Sequence, residues 1–453
     1  MTARLVMKFG GTSLGTADAM SRACDHVIGE ERECLVVVSA VGGVTDLLLE
    51  AAGTARAGGS PVPFLREIQR RQDEIVSKLG LPRGLLTGLY SELERLISGI
   101  TMLRELTPRV QDAFLSLGER MSARLVAEAL SKQGKPARAY DSWDLGFITN
   151  DAHGCAELLP QAPLFIKTAL AALPAGEVAV VTGYIARTEA GDATTLGRGG
   201  SDLSAAVFGA AAGSEEIQIW TDVPGILRAD PRVVKQAAVI PQIRFEEAAE
   251  LAYFGAKVLH PRTIEPARRA GIPVRVLGTF HLDPNSALPV SRQGTLISDR
   301  APAEPVRALA IRRQVQSLHI RSTRMLDAHG FLARVFAIFE RHRISIDVVA
   351  TSEVSVSLTF DRDEVALDAA VAEISAFAEV DQIPERSILC LVGAGLREDT
   401  GLLARIFSVL AKAEVPIHVI SQGASRINIT LVTDPPHGQN AMRALHRDLF
   451  EKA

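Results

Sequence analysis

Short apolar runs alternate with longer segments of helical period over the first 280 or so residues. Between them, residues 64–132 carry apolar positions at helical spacing and predict a helical flank beside a cleft. Strands separated by helices are typical of an α/β domain, so we expect a layered α/β fold with a largely parallel sheet. The predicted strands are Leu5–Met7, Leu35–Ser39, Val178–Thr182, Gln218–Thr221 and Val274–Leu277.

The pattern changes between residues 281 and 307, where four prolines stand among polar residues. Because proline-rich polar stretches interrupt regular structure, we place a domain boundary there. The first domain is expected to span residues 1–298. Beyond the boundary the chain repeats itself.

The repeat is visible as two matching segments. Gly330–Phe336 matches Gly401–Phe407, and Ile346–Val348 matches Ile417–Val419 at the same offset. Each copy predicts a helix, an alternating strand and a second strand, which together form a small α+β unit. We place the two modules at residues 315–386 and 387–453, with the strand at 305–314 as a candidate to complete the second.

Composition narrows the class of protein. The chain has 453 residues, 47% of them hydrophobic, and a formal net charge of −4, which suggests a globular enzyme of two to four domains. The sequence shows no long basic block, so a nucleic-acid partner is not expected. It also lacks a signal-peptide core and a membrane-spanning run, and we expect a cytoplasmic protein. The four cysteines are scattered and, like the histidines, predict no metal site.

The segment Lys8–Ser13 directly follows the first predicted strand and suits a bound phosphate. Gly10 and Gly11 let backbone N–H groups approach an anion, and Lys8 supplies a full positive charge. We expect Thr12 and Ser13 to open the next helix with its positive end toward that anion. The lysine precedes the glycines, whereas in a P-loop it follows them, so the Walker pattern does not apply.

A second glycine-rich segment, Gly197–Asp202, follows the strand Val178–Thr182. Its glycines allow a close turn, Ser201 or Asp202 is expected to cap the next helix, and Arg198 can grip a carboxylate in bidentate fashion. A site that brings a phosphate and a carboxylate together needs positive charge and positioning more than a proton acceptor, since a carboxylate is already ionised at neutral pH. These segments supply that charge.

The segment Lys8–Ser13 resembles the opening of the aspartate kinases, which belong to the amino-acid kinase family, and Gly197–Asp202 resembles their second motif. The similarity continues through most of the chain, and the tandem repeat resembles paired ACT modules. The resemblance implies ATP-dependent phosphorylation of the side-chain carboxylate of L-aspartate to 4-phospho-L-aspartate, the first step of lysine, threonine and methionine biosynthesis. It also implies Mg²⁺ held mainly by the ATP phosphates.

The resemblance also implies roles for single residues. Lys8 would neutralise the transferring phosphoryl group, and Asp202 would orient Lys8. Arg198 would hold the α-carboxylate of aspartate and Glu119 its ammonium group. The rest of the substrate pocket would be Ser39, Thr45 and Ser201. The residues assigned to ATP are Lys8, Gly10, Gly11, Thr221, Asp222, Arg232, Lys257 and Val258.

Two departures from the aspartate kinase pattern are Leu227, where lysine-sensitive members usually have tyrosine, and Asp46, where asparagine is frequent. Leu227 puts one contact to the nucleotide base in doubt. Asp46 adds negative charge beside the substrate loop.

A regulatory site is implied in the first repeat, where Thr351–Thr359 resembles the effector-binding segment of lysine-inhibited aspartate kinases. Asp347 and Glu353 could pair with an ammonium group. We expect the pocket residues at 325–332 to precede or open the helix of this repeat, and those at 345–353 to lie in or after the strand that follows it. Feedback inhibition by lysine in an ACT-linked homodimer is the expectation. The implied pocket residues are Met325, Ala328, Phe331, Leu332, Ser345, Ile346, Asp347, Ser352 and Glu353.

Several alternatives stay open from sequence. Threonine could be the effector, or the repeats could serve only to dimerise the chain. Another amino-acid kinase, acting on glutamate, N-acetylglutamate, carbamate or UMP, would share the fold, but those families lack this opening together with paired ACT modules. A non-catalytic amino-acid sensor is the rival from a different class, and the presence of Lys8, Arg198 and Asp202 argues against it. The length leads us to expect no fused homoserine dehydrogenase.

Overall fold

The computed structural model describes residues 5–254, 259, 261–282, 289, 292–302, 304–322, 329–362, 364–397, 399–423 and 427–451. The chain groups into two compact units. The first comprises residues 1–226, 239–245 and 258–301, and the second comprises residues 227–238, 246–257 and 302–453. Among the described residues, no helix combines the length and the apolar character that crossing a membrane would require.

Strands account for both sheets of the first unit and the sheet of the second. In chain order they are β1 Leu5–Phe9, β2 Cys34–Val38, β3 Ala137–Tyr140, β4 Ile148–Thr149, β5 Val178–Thr182, β6 Ile185–Thr188, β7 Ala193–Thr195, β8 Glu216–Thr221, β9 Gln242–Ile243, β10 Val274–Gly278, β11 Thr295–Ile297, β12 Ala308–Arg321, β13 Val349–Thr351, β14 Ser355–Asp361, β15 Glu379–Val392, β16 Val419–Ser421 and β17 Asn428–Thr433.

Helices alternate with the strands. They are α1 Ala17–Ile28, α2 Val44–Arg56, α3 Val62–Leu79, α4 Thr87–Leu103, α5 Pro108–Lys132, α6 Ala162–Ala171, α7 Gly200–Ala212, α8 Phe245–Tyr253, α9 Pro261–Arg269, α10 Phe331–Arg341, α11 Leu367–Ser375, α12 Thr400–Lys412 and α13 Pro435–Phe450.

The first unit is built on an eight-stranded sheet in the order β3-β5-β2-β1-β8-β10-β11-β9. Every neighbouring pair from β3 to β10 is parallel, and only β10 and β11 run antiparallel. The prediction of a layered α/β fold with a largely parallel sheet is therefore confirmed. A smaller sheet, β4-β6-β7, accompanies it.

Strand β1 lies inside the large sheet and is buried along its whole length. Its neighbours are β2 on one side and β8 on the other, both parallel to it, so the chain leaves β1 toward one side and returns much later on the opposite side. In open parallel sheets, ligands bind beyond the carboxyl ends of strands at such a reversal of order. Lys8 and the turn after it stand at that edge.

The second unit contains a six-stranded antiparallel sheet in the order β13-β14-β12-β15-β17-β16. The two repeats share it. The long strand β12 pairs through its first half, Ala308–Arg312, with Ile388–Val392, and through its second half with β14 of the first repeat. Each repeat also shows the expected helix followed by two strands, with α10, β13 and β14 in the first and α12, β16 and β17 in the second.

Two segments within the range 1–298 group with the second unit rather than the first, namely residues 227–238 and 246–257. Hydrogen bonds explain the grouping of the second segment. The Ala394 N–H donates to Glu247 Oε1 at 2.8 Å, and Asn428 donates to Glu250. Arg307, also buried, pairs with Glu247. Buried charges need such partners, and here their partners lie far away in sequence.

Candidate active site

A cavity of about 470 Å³ opens at the carboxyl end of β1 in the first unit. Eight residues named from the sequence as substrate or phosphate ligands line it together. They are Lys8, Gly11, Ser39, Thr45, Glu119, Arg198, Ser201 and Asp202. Residues more than 190 positions apart in the chain therefore meet at one site, which is the geometry that the motifs required.

The glycines of the first motif allow two turns to approach each other. A Cβ on Gly11 would lie 3.0 Å from the Ala40 carbonyl oxygen and 3.4 Å from the Gly42 Cα, so the turn after β1 fits against the turn after β2 only without a side chain. Thr12 and Ser13 open a short 3₁₀ helix, Thr12–Leu14, as expected. Helix α1 follows it and begins at Ala17, where the Thr16 hydroxyl caps it by accepting the Ala19 N–H.

The Ser13 side chain also holds this turn in place. Its hydroxyl lies 2.7 Å from the Thr279 hydroxyl and also donates to the Trp220 carbonyl oxygen. Both partners lie at the carboxyl ends of neighbouring strands, so Ser13 ties the turn after β1 to the edge of the sheet. The Gly10 N–H is donated to the Trp220 carbonyl oxygen, so an anion at this turn would meet Lys8 and the N–H groups that follow Gly10.

Lys8 and Asp202 form an ion pair of 2.7 Å between Nζ and Oδ1, and both side chains are mostly buried, with 11% and 14% exposed. Asp202 lies in the first turn of α7. The expectation that Ser201 or Asp202 caps this helix is wrong, since Gly199 occupies the cap position with φ of 73° and no side chain caps the helix. The left-handed backbone at Gly199 favours glycine, and it leaves Asp202 available for Lys8.

Glu119 lies in the middle of α5 and is buried. Its Oε1 accepts the Ala40 N–H at 3.1 Å, whereas Oε2 has no partner among the described residues. Burial raises the pKa of Glu119 to about 8, and the Ala40 hydrogen bond opposes that rise. The side chain is therefore a buried carboxylic acid at neutral pH that lines the cavity.

Arg198 stands at the rim of the cavity on the turn between β7 and α7, and its side chain is exposed. Among the residues that the structure describes, its guanidinium has no hydrogen bond or ion pair. An unpaired guanidinium at a cavity mouth can present two parallel N–H groups to a carboxylate.

Tyr184 also lines the cavity and was missed in the sequence. It has φ of 64°, which is uncommon for a residue with a side chain, and the Ser204 hydroxyl accepts its backbone N–H. Burial raises the pKa of its phenol. A usable signal existed, because Tyr184 follows the buried strand β5 by two residues and so lies at the same sheet edge as Lys8.

The structure brings only some of the residues assigned to ATP close to one another. Thr221 ends β8, and Gly10 donates its N–H to the carbonyl oxygen of Trp220 next to it, so these residues lie side by side. The Thr221 hydroxyl donates to Asp222. Arg232 belongs to the second unit, where its exposed guanidinium pairs with Asp230. Lys257 and Val258 lie outside the described residues.

The implied effector residues lie in the second unit. Ser345, Ile346 and Asp347 precede β13 rather than lying in it or after it, because that strand is only three residues long, while Ser352 and Glu353 occupy the turn between β13 and β14. Phe331 and Leu332 open α10. Met325 and Ala328 lie outside the described residues.

Asp347 is the most constrained residue of this group. Its Oδ1 accepts from Arg312 at 2.7 Å and from the Tyr253 hydroxyl at 3.4 Å, and its buried Oδ2 has no partner among the described residues. Burial raises the pKa of Asp347, and Arg312 opposes the shift. One carboxylate oxygen is thus left for a further donor.

Comparisons with known proteins agree with this arrangement. Residues 3–278 match the amino acid kinase family and residues 389–449 match the ACT domain. The chain is 38% identical to lysine-sensitive aspartokinase 3 of Escherichia coli over 100% of both chains, and 39% identical to chloroplastic aspartokinase 1 of Arabidopsis thaliana over 98% of this chain and 80% of that protein.

Solved structures give the same result. The structure of E. coli aspartokinase III in complex with aspartate and ADP, described as the R-state, matches with a TM-score of 0.80 at 35% identity, covering 98% of this chain and 99% of that one. The same enzyme in complex with lysine and aspartate, described as the T-state, matches with a TM-score of 0.79 at 37% identity and the same coverage. The predicted combination of a kinase fold with C-terminal ACT modules is confirmed, and the chain belongs to the aspartokinases of the amino acid kinase family.

Proposed function

We propose that this kinase phosphorylates the side-chain carboxylate of L-aspartate with ATP, giving 4-phospho-L-aspartate and ADP. The observation that carries the proposal is that Lys8, Arg198 and Glu119 line one cavity. Lys8 and Arg198 supply positive charge for the two anions, the nucleotide and the acidic substrate. Glu119 supplies a buried carboxyl group for the ammonium group of the substrate. This reaction is the first step in the biosynthesis of lysine, threonine and methionine.

Aspartate would bind with its two ends held separately. Arg198 takes the α-carboxylate, and Glu119 takes the ammonium group through the oxygen that has no partner among the described residues. An ammonium ion close to a buried carboxyl favours its ionised form, so substrate binding would lower the pKa of Glu119 from its raised value. The remaining contacts in the pocket are assigned to Ser39, Thr45 and Ser201.

Catalysis would rest on charge and alignment. The substrate carboxylate is already ionised and needs no general base, whereas its approach to the γ-phosphoryl group requires compensation of negative charge. Lys8 supplies that compensation, and the 2.7 Å contact with Asp202 fixes the position of its ammonium group.

The nucleotide would lie against the turn after β1 and the end of β8. The backbone N–H group of Gly11 suits phosphate oxygens, and Thr221 and Asp222 suit the nucleoside. Gly10, whose own N–H is donated to the Trp220 carbonyl oxygen, stays assigned to ATP because its lack of a side chain lets the phosphates approach the turn. We also assign Arg232, Lys257 and Val258 to ATP. Among the described residues no group of three or more His, Cys, Asp or Glu side chains could hold a metal ion. Bound Mg²⁺ would therefore be held mainly by phosphate oxygens and would neutralise their charge.

We further propose that lysine inhibits the enzyme through the first ACT module, with Asp347 accepting an ammonium group. The E. coli relative has been solved with lysine in a state named differently from its complex with ADP, which supports a two-state mechanism. A homodimer through the ACT modules is the expected assembly. Exposed apolar side chains on the edge strand β13, on the turn after it and on helix α10, namely Val349, Val354 and Leu332, support that contact. The cytoplasmic location stays a prediction.

The test is a coupled assay of ADP release with ATP and a panel of acceptors: L-aspartate, L-glutamate, N-acetyl-L-glutamate, carbamate and UMP. We expect turnover with aspartate, and trapping of the product with hydroxylamine should give the hydroxamate that an acyl phosphate forms. Added lysine should lower the rate. Turnover with another acceptor would replace the proposed substrate, and aspartate binding without ADP release would favour an amino-acid sensor.

A further inference from the structure

We infer that Asp112 is a positioning residue for the aspartate-binding end of the active site, acting through the strand that leads to Arg198. The inference rests on the proposed function, because it assigns Arg198 and Glu119 to the two ends of aspartate. Asp112 itself does not line the cavity. It lies in the first turns of α5 and is 1% exposed.

The Asp112 carboxylate receives four hydrogen bonds from two other segments. Oδ1 accepts from the Thr195 hydroxyl at 2.7 Å. Oδ2 accepts from the Thr195 backbone N–H at 3.1 Å, from the Gly154 backbone N–H at 2.9 Å, and from His153 Nδ1 at 2.9 Å. A buried carboxylate is costly without partners, so this set of donors holds the side chain in one position.

Strand β7, which Asp112 anchors, and helix α5, which carries Asp112, each lead to a proposed substrate ligand. Thr195 is the last residue of β7, and Arg198 follows it three residues later on the turn into α7. Glu119 follows Asp112 by seven residues on α5, which is two helical turns and about 10 Å along the axis on the same face. Asp112 therefore joins the element that carries the ammonium ligand to the element that carries the carboxylate ligand.

The loop held by Asp112 also supports the turn of Arg198 directly. A Cβ on Gly197 would lie 3.2 Å from the Gly154 carbonyl oxygen and 3.6 Å from the Cys155 Cβ, so this loop packs against the residue before Arg198. The Ala156 N–H donates to the Thr195 carbonyl oxygen at 2.9 Å, so a second contact joins this loop to the end of β7.

Asparagine can reproduce most of this arrangement and alanine cannot. In the variant Asp112→Asn, the side-chain amide oxygen can accept the three N–H groups, while the amide NH₂ group can donate to the Thr195 hydroxyl, which also has lone pairs to accept. Asp112→Ala leaves the four donors without their acceptor and frees the loop and the strand end. The pair of variants separates loss of the connection from loss of the charge.

The experiment measures kcat and both KM values for the full chain with aspartate and ATP. Asp112→Ala should reduce kcat/KM for aspartate by about 10²-fold, mostly through KM, because a displacement of about 1 Å at a substrate ligand costs that much. The KM for ATP should stay within about twofold. Asp112→Asn should recover most of the activity. Thr149→Val is the matched control, since it removes a buried hydroxyl pair, Thr149 with Thr194, that does not involve Asp112.

The outcomes are separable. The inference would be overturned if Asp112→Ala kept a wild-type KM for aspartate, or if its kcat fell with both KM values unchanged. It would also be overturned if Asp112→Asn did not recover activity. If Asp112→Ala does not fold, Thr195→Val takes its place, and an unchanged KM for aspartate there would also overturn it. Failure of the wild-type enzyme to turn over aspartate would instead overturn the proposed function.

Discussion

The Lys8 ammonium group contacts the Asp202 carboxylate at 2.7 Å, although 193 residues of chain separate them between β1 and α7. Both side chains are largely buried, so neither charge is well solvated and each depends on the other. The pair fixes one cation at the carboxyl end of β1, which lies between β2 and β8 in the large sheet.

Replacing Lys8 should remove the charge that this site directs at the phosphoryl group. We expect Lys8→Ala to lower kcat by about 10²- to 10³-fold, the usual effect of losing one preorganised charge-stabilising donor. Steady-state kinetics with saturating aspartate and ATP measures it. The control is Lys78→Ala, which removes an exposed lysine paired with Glu74 along its own helix and should leave kcat unchanged. A near-normal rate for Lys8→Ala would contradict the assigned role.

Aspartate binding should depend on pH through Glu119. Because the pKa of this residue in the free enzyme is raised to about 8 by burial, the ammonium group of the substrate must bind at the expense of a proton. The KM for aspartate should therefore fall by up to about tenfold per unit between about pH 6 and pH 8 and then level off. Glu119→Gln should raise KM and remove the slope. A wild-type KM that is flat over this range would show that Glu119 does not take the ammonium group.

The same carboxyl should make the ligand-free protein less stable as pH rises. In the unfolded chain Glu119 ionises near the ordinary glutamate pKa of 4.5, whereas in the folded protein it holds its proton to about pH 8. Between these values the unfolded state binds fewer protons, so the Glu119 contribution to the free energy of unfolding decreases with pH. Glu119→Gln has no such contribution. Denaturant unfolding at about pH 5 and pH 8 should show that the variant gains stability relative to wild type at the higher pH.

A difference of the opposite sign, with the variant losing ground at the higher pH, would mean that Glu119 is ionised in the folded protein. Aspartate added at that pH should reduce the difference, because it stabilises the ionised form.

The site could be predicted from sequence where its ligands stand beside glycines at the ends of buried strands. Lys8, Gly11 and Arg198 follow that rule, and the cavity contains all three. Tyr184 was missed because it belongs to no recognised motif, although it follows the buried strand β5 by two residues, and the sequence does not specify its backbone φ of 64°. The start of α7 was less predictable, because Gly199 takes the cap position that was expected for Ser201 or Asp202.

Long-range pairing of buried charges was the feature that sequence could not supply. Glu247 reads as a surface residue of an acidic helix, yet it is buried with Arg307 and accepts the Ala394 N–H. Residues 246–257 therefore group with the second unit. Because such partners are far apart in the sequence, no pattern of neighbouring residues indicates that they pair.

Arg198 should matter through the shape of its guanidinium as well as its charge. Arg198→Lys keeps the charge but loses the two parallel N–H groups, so we expect the KM for aspartate to rise by about 10- to 100-fold with a smaller change in kcat. Stability should change by less than about 0.5 kcal/mol, because the side chain is exposed. Arg109→Lys, at an exposed arginine paired with Asp192, is the matched control. Equal KM values in the two variants would remove Arg198 from the substrate site.

Sensitivity to lysine should be controlled by competition at Asp347. Arg312 donates to Oδ1 of this carboxylate at 2.7 Å and also pairs with Asp361, so an incoming ammonium group meets a carboxylate that is already partly neutralised. We expect Arg312→Gln to lower the lysine concentration for half inhibition by up to about tenfold, and Asp347→Asn to raise it by at least as much. Lysine titrations at fixed aspartate and ATP measure both shifts.

The matched control is Arg321→Gln, which lies on the same strand β12 and loses an exposed pair with Asp381. It should leave the half-inhibiting concentration and the uninhibited rate unchanged. The prediction depends on Arg312 competing with the effector for Asp347 rather than holding that carboxylate ready for it. In the second case Arg312→Gln would need more lysine, not less, and because the Tyr253 hydroxyl would then be the only described donor left on Oδ1, Tyr253→Phe should add to the loss.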